Sequence, residues 1–185
     1  PIEDGVRMLK GNLSTAGAAD AAQAIMTTDL AVKEAAARVM IGGVPVVLGA
    51  IAKGSGMIRP NMATMLSFVT TDCAITTQML QKALSLVVDD TYNMVSVDGD
   101  TSTNDMVSVM ASGLAGNPVI DGPGEDFDAF CAALHQVAAD MARRIAADGE
   151  GATKLIECRV KGAPDRPLAR AVARSVVMSS LVKAA

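Results

Sequence analysis

Apolar residues recur along the chain at two spacings, and the switches between them mark out elements. Residues 1–13 place Val6, Leu9 and Leu13 on one face at helical spacing, with a proline suited to a first turn. Ser14 or Thr15 is the expected cap of a second helix over 16–26. Residues 32–41 and 44–52 read as two strands around Gly42-Gly43, a pair that favours a hairpin, although Ala35-Ala36-Ala37 is helix-prone. The stretch 53–62 reads as a loop, and 63–71 as a buried strand carrying Met65, Leu66, Phe68 and Val69. After a turn over 72–76, the apolar positions Met79, Leu80, Leu84, Val87 and Val88 predict a helix over 77–90. Short strands are expected over 94–97 and 106–111, separated by a polar, turn-like segment.

Residues 117–125, with two prolines and two glycines, read as a loop. An alanine-rich helix over 127–147 follows, ending near Gly149. Alternation of Leu155, Glu157 and Arg159 against Ile156, Cys158 and Val160 predicts a strand over 154–160. A last helix is expected over 167–183. Strands interleaved with helices imply an α/β (α+β) layered sandwich.

Composition narrows this picture. Half of the 185 residues are hydrophobic and only 19% are charged, as in a compact domain. With three Phe, one Tyr and no Trp, the core must be aliphatic, and twelve Met suit adaptable packing. The net charge of −4 and the scarcity of stacking aromatics argue against a nucleic-acid partner. Lys154, Arg159, Lys161, Arg166, Arg170 and Arg174 read as a solvated face. The uncharged runs 39–52 and 106–120 are shorter than the ~20 residues of a membrane helix. No membrane span or signal peptide is therefore expected, and the expected compartment is the cytoplasm. Cys73, Cys131 and Cys158 form no CxxC pair, and an odd number disfavours a disulfide framework.

The candidate chemistry is reached partly by exclusion. The single histidine, His135, cannot build a histidine metal cluster and reads as a helix-surface or packing residue. Lys53-Gly54-Ser55-Gly56 has the wrong order for a phosphate-binding loop. The run starting at Asp98-Gly99-Asp100 has Thr103 and Val109 where a calcium loop needs Gly and Glu. No metal or cofactor is expected. A Thr hydroxyl can act without either if its own α-amine is the base, because an α-amine has a pKa of ~7.7–8.0. That amine exists only after the preceding peptide bond is cut. By this chemistry alone, any Ala-Thr, Gly-Thr or Gly-Ser step qualifies.

The run 53–66, KGSGMIRPNMATML, resembles the self-cleavage segment of the ornithine acetyltransferase (glutamate N-acetyltransferase) family. Three further segments resemble the family in the same order: 25–29 (IMTTD), 97–105 (VDGDTSTND) and 148–154 (DGEGATK). The resemblance implies cleavage between Ala63 and Thr64. Residues 1–63 would be the C-terminal part of an α subunit and 64–185 the N-terminal part of a β subunit, in one packed catalytic unit. It implies Thr64 as nucleophile, with Thr27, Lys53 and Glu150 binding substrate beside it. It also implies N2-acetyl-L-ornithine as donor and L-glutamate as acceptor, leaves acetyl-CoA open as a second donor, and suggests a heterotetramer of two α and two β fragments.

The family's Thr-Gly oxyanion pair and a C-terminal stretch with Asn-Trp-Gly-Arg fall outside positions 1–185, so the likeness is to the middle of the family. One oxyanion donor is typically worth roughly 10²–10³ in rate, so these residues alone are expected to bind or cleave themselves poorly and not to turn over. Two other readings stay open: a hydrolase (amidohydrolase or aminopeptidase) with the same kind of unmasked nucleophile, and a non-catalytic fragment serving as a structural or binding half.

Overall fold

A computed structural model describes residues 1–58, 65–100, 102 and 104–185. Four strands form one mixed sheet in the order β1-β2-β3-β4. They are β1 (Lys33–Ile41), β2 (Val44–Lys53), β3 (Leu66–Thr71) and β4 (Met106–Ala111). β1 and β2 pair antiparallel across the expected hairpin. Gly42 and Gly43 both have positive φ, 54° and 80°, the backbone that a tight two-residue hairpin needs. A Cβ at Gly42 would also fall 2.6 Å from the Pro118 ring. The helical bias of the alanine run loses here because Ala35, Ala37 and Val39 alternate toward the covered face while Glu34, Ala36 and Arg38 face outward.

β2 and β3 are antiparallel, but β3 and β4 are parallel. A parallel pair needs a crossover, which α3 (Thr77–Asp90) supplies. Thr76 caps α3 by accepting from the Met79 amide. α4 (Glu125–Ala147) lies across β1 and β2. Its Phe130, Leu134, Val137, Met141 and Ile145 meet Val46, Leu48, Ala50, Ala52 and Val69 in one core. The layered α/β expectation is thus met by one mixed sheet with α3 and α4 on a single face. On the other face Met40, Val47, Met106 and Met110 are about half exposed.

Several expected elements differ. α1 (Ile2–Gly11) forms but buries none of its residues, so its apolar face remains in solvent. α2 is only Ala18–Ala24, starting at Gly17 without a side-chain cap. Ser14 is not the cap, because its Oγ accepts instead from the Ala16 amide at 3.1 Å. Residues 94–97 are not a strand. Tyr92–Met94 makes a 3-10 turn, Val95 N–H bonds back to Tyr92 O at 3.1 Å, and Val97 N–H reaches Ile58 O at 2.7 Å.

Residues 154–160 alternate in sequence but make no strand either, since no partner ladder lies beside them among the described residues. The last helix is divided into α5 (Arg166–Val177) and α6 (Ser180–Ala184), because Ser179 accepts from the Val182 amide and restarts the chain as a new cap. The basic cluster is not wholly solvated. Arg170 is 29% exposed and binds Asp90, while Arg174 donates to Asn93 O at 2.9 Å, so both dock α5. His135 is exposed on α4. All three cysteines are free, and burial pushes the Cys73 thiol up to about 11, out of reach of nucleophilic use near neutrality.

Candidate functional site

Three loops meet at one end of the sheet. The first, after α2, carries Thr27, Thr28 and Asp29; the second leaves β2 at Lys53 and runs through Ser55 and Gly56; the third follows α4 and carries Asp148 and Glu150. Lys53 is 8% exposed, and its Nζ donates to Thr27 Oγ1 at 3.3 Å. The hydroxyls of Thr28 and Ser55 share a hydrogen bond of 2.6 Å. Glu150 N–H donates to Ser55 O at 2.7 Å. The Glu150 carboxyl lies over Gly56, where a Cβ would fall 2.6 Å from its Cδ. The structure therefore brings Thr27, Lys53 and Glu150 onto one cradle, a cation and an anion with a hydroxyl beside the cation. Ala63 and Thr64 lie outside the described residues.

Beneath the cradle sits a group that sequence reasoning missed. Lys33 is 1% exposed at the start of β1. Its ammonium donates to Asp29 Oδ1 and Asp148 Oδ2, each at 2.6 Å, and to Ala31 O at 3.2 Å, using all three of its protons. Each carboxylate then holds backbone. Asp29 accepts from Gly54 N–H at 2.7 Å and Thr27 N–H at 3.2 Å. Asp148 accepts from Leu30 and Ala31 at 3.0 and 3.3 Å. Burial opposes ionisation of Asp29, but the Gly54 amide, the Lys33 ammonium and the Thr27 amide outweigh it and hold the carboxyl below its ordinary value. The signal was present in the sequence: Lys33 is in phase with the inward positions of β1, where an ammonium survives only if it is paired.

Two more carboxylates, given no individual role in the sequence reading, also hold backbone. Asp98 accepts from the amides of Met57 and Ile58, the second at 3.0 Å. Asp105 Oδ1 accepts from Met65 N–H at 2.6 Å. Burial raises the Asp105 carboxyl, with the Met65 amide and the charge of Lys53 pulling the other way. Its Oδ2 is buried and has no hydrogen-bond partner among the described residues.

The model of the ArgJ family matches residues 1–185. The chain belongs to the ArgJ family. Among curated ArgJ-family proteins, the arginine biosynthesis bifunctional protein ArgJ of Symbiobacterium thermophilum is 58% identical over 184 residues, covering 100% of this chain and 46% of that protein. The ArgJ proteins of Listeria monocytogenes and Thermotoga neapolitana are 51% and 50% identical over the same share of this chain, each covered to 46% of its length. The crystal structure of ArgJ from Bacillus halodurans superposes with a TM-score of 0.62 at 54% identity, over 64% of this chain and 56% of that one. This chain thus spans about half the length of the curated ArgJ proteins it matches. Among the described residues, no group of three or more His, Cys, Asp or Glu side chains could hold a metal ion, and no helix is long and apolar enough to cross a membrane.

Proposed function

We propose that this chain carries the nucleophile-bearing part of an acetyltransferase of arginine biosynthesis, moving acetyl from N2-acetyl-L-ornithine to L-glutamate through Thr64. The observation that carries the proposal is the convergence of Thr27, Lys53 and Glu150, three residues distant in sequence, beside the run that leads into Thr64. Lys53 pairs with a substrate α-carboxylate, Glu150 with the ornithine side-chain ammonium, and Thr27 adds one hydrogen bond. Membership of a family whose relatives are named as arginine biosynthesis proteins supports the substrate class.

The nucleophile is first unmasked. The Thr64 hydroxyl oxygen attacks the Ala63 carbonyl carbon, its proton passes to the Thr64 nitrogen, and the peptide C–N bond gives way to an ester. Water opens the ester, leaving a carboxylate on Ala63 and a free hydroxyl and amine on Thr64. Residues 1–63 then form the end of an α fragment and 64–185 the start of a β fragment, and two of each assemble.

In the transfer, the α-amine takes the Thr64 hydroxyl proton as the oxygen attacks the acetyl carbonyl. It returns that proton to the departing ornithine nitrogen. The glutamate amine then attacks the acetyl ester and regenerates Thr64.

Intact mass under denaturing conditions tests the first part. Two masses that sum to the uncut chain plus one water, divided between Ala63 and Thr64, are expected. Adding N2-acetyl-L-ornithine should place one acetyl on the fragment that begins at Thr64, and glutamate should speed its loss. Acetyl-CoA supplied instead tests the second donor. An uncut mass would overturn the proposal, and an adduct lost to water at a rate indifferent to glutamate would favour a hydrolase.

A further inference from the structure

The sequence 97–105 does more than turn the chain. Its two ends grip the backbone on both sides of the segment that carries the Ala63–Thr64 bond. On the upstream side Asp98 accepts from the Met57 and Ile58 amides, and Val97 N–H donates to Ile58 O at 2.7 Å. On the downstream side Asp105 Oδ1 accepts from Met65 N–H at 2.6 Å, and Met106 N–H donates to Met65 O at 3.0 Å. Ile58 and Met65 are 3% and 8% exposed, so both flanks are anchored in the core. Both also line one cavity of about 430 Å³, which places the two flanks against the same space. Met57, a non-glycine residue, is held at φ 55°, a left-handed backbone that persists only when its surroundings enforce it. The Asp98 carboxylate on its amide supplies part of that enforcement.

We propose that the loop from Val97 to Met106 is a clamp on the processing segment, and that Asp98 and Asp105 are positioning residues for self-cleavage. The inference rests on the reading that the Ala63–Thr64 bond is cut. Attack of a hydroxyl on the carbonyl just before it needs a bent backbone held in register. Anchoring both flanks to one loop supplies that register without contributing a reacting atom. The loop thus acts through Met57, Ile58 and Met65, each bonded into the chain that runs to the scissile bond. After cleavage, the same contacts hold the two new chain ends, one by each aspartate.

The test follows cleavage by intact mass in the whole chain, after an inhibiting condition such as cold or denaturant is removed. Asp98→Ala and Asp105→Ala should each slow it about 10²-fold, the loss typical of an approximately 1 Å misplacement. Asp105→Asn keeps an oxygen for Met65 N–H and should stay within a few-fold of wild type. Val137→Ala, a cavity in the α4 core, supplies a loss of stability away from the loop and should cleave at the wild-type rate. The clamp is overturned if the alanine variants cleave as fast as wild type, or if Val137→Ala is slowed as much as they are. A wild-type chain that never cleaves overturns the clamp and the cleavage reading together. A cleaving wild type with unaffected aspartate variants overturns the clamp alone.

Discussion

Replacing Lys33 with Met removes the charge from a fully buried ammonium while keeping much of the side-chain volume. The ammonium at 1% exposure compensates Asp29, whose side chain is 0% exposed, and Asp148 at 10%. Without it, two carboxylates face each other in a site that water barely reaches. Removing one partner of a buried ion pair typically costs about 3–5 kcal/mol. At roughly 2–4 °C per kcal/mol for a domain of this size, melting should fall by about 6–20 °C.

The pH dependence gives the sharper check. In the variant, one of the two carboxyls has its folded-state pKa raised, because ionising both is costly. It therefore contributes stability below the unfolded value, and that contribution is lost as pH rises. The deficit relative to wild type should be larger at about pH 7 than at about pH 4. Urea denaturation of both proteins at the two pH values measures this. A deficit below about 1 kcal/mol at neutral pH, or one that does not change with pH, would refute the reasoning from a paired, desolvated ammonium.

Other consequences follow from single contacts. Gly56→Ala should displace the Glu150 carboxylate, since the new Cβ would lie 2.6–2.8 Å from its atoms; an exposed side chain can move, so stability should hold, while under the proposed acetyl transfer KM for N2-acetyl-L-ornithine rises about 10-fold or more. Tyr92→Phe strips the hydroxyl that shares a 2.7 Å bond with the fully buried Ser67, and should cost about 1–3 kcal/mol in urea denaturation. Because the chain has one tyrosine, ultraviolet titration reads Tyr92 alone. Burial pushes it from 10.0 to about 12, so folded protein should ionise near the higher value and lose stability as pH rises between the two. Asp29 gives the opposite limb: its folded value is depressed, so its contribution is present above 3.8 and lost as pH falls through the folded value, and Asp29→Asn should flatten that acid limb.

Much of the architecture was legible in local pattern. The strands either side of Gly42-Gly43, the helix over 77–90, the strand over 106–111 and the long helix ending at Ala147 all follow from periodicity and glycine or proline punctuation. The failures share a cause. Residues 154–160 alternate as a strand would, and 94–97 are apolar enough for one, but a strand exists only if another lies beside it to take its backbone bonds. Ser14 has a capping side chain, yet its oxygen bonds the Ala16 amide in a local turn, and the helix starts three residues later at Gly17.

The candidate site divides in the same way. The sequence alone determined which chemistry is available: one lone histidine, no paired cysteines, and the runs that resemble the ornithine acetyltransferase family through Thr27, Lys53, Thr64 and Glu150. It could not say that Lys33 lies beneath that cradle, because the group needs Asp29 from one loop and Asp148 from another 115 residues beyond Lys33. Nor could it assign Asp98 and Asp105 to the two flanks of the segment that carries Ala63 and Thr64, since each accepts from amides 40 or 41 residues away. Local preference is carried by residues within a few positions of one another, and a sequence displays it directly. A desolvated charge finds its partners only when the sheet and α4 have closed over it, and that pairing is decided by the tertiary structure.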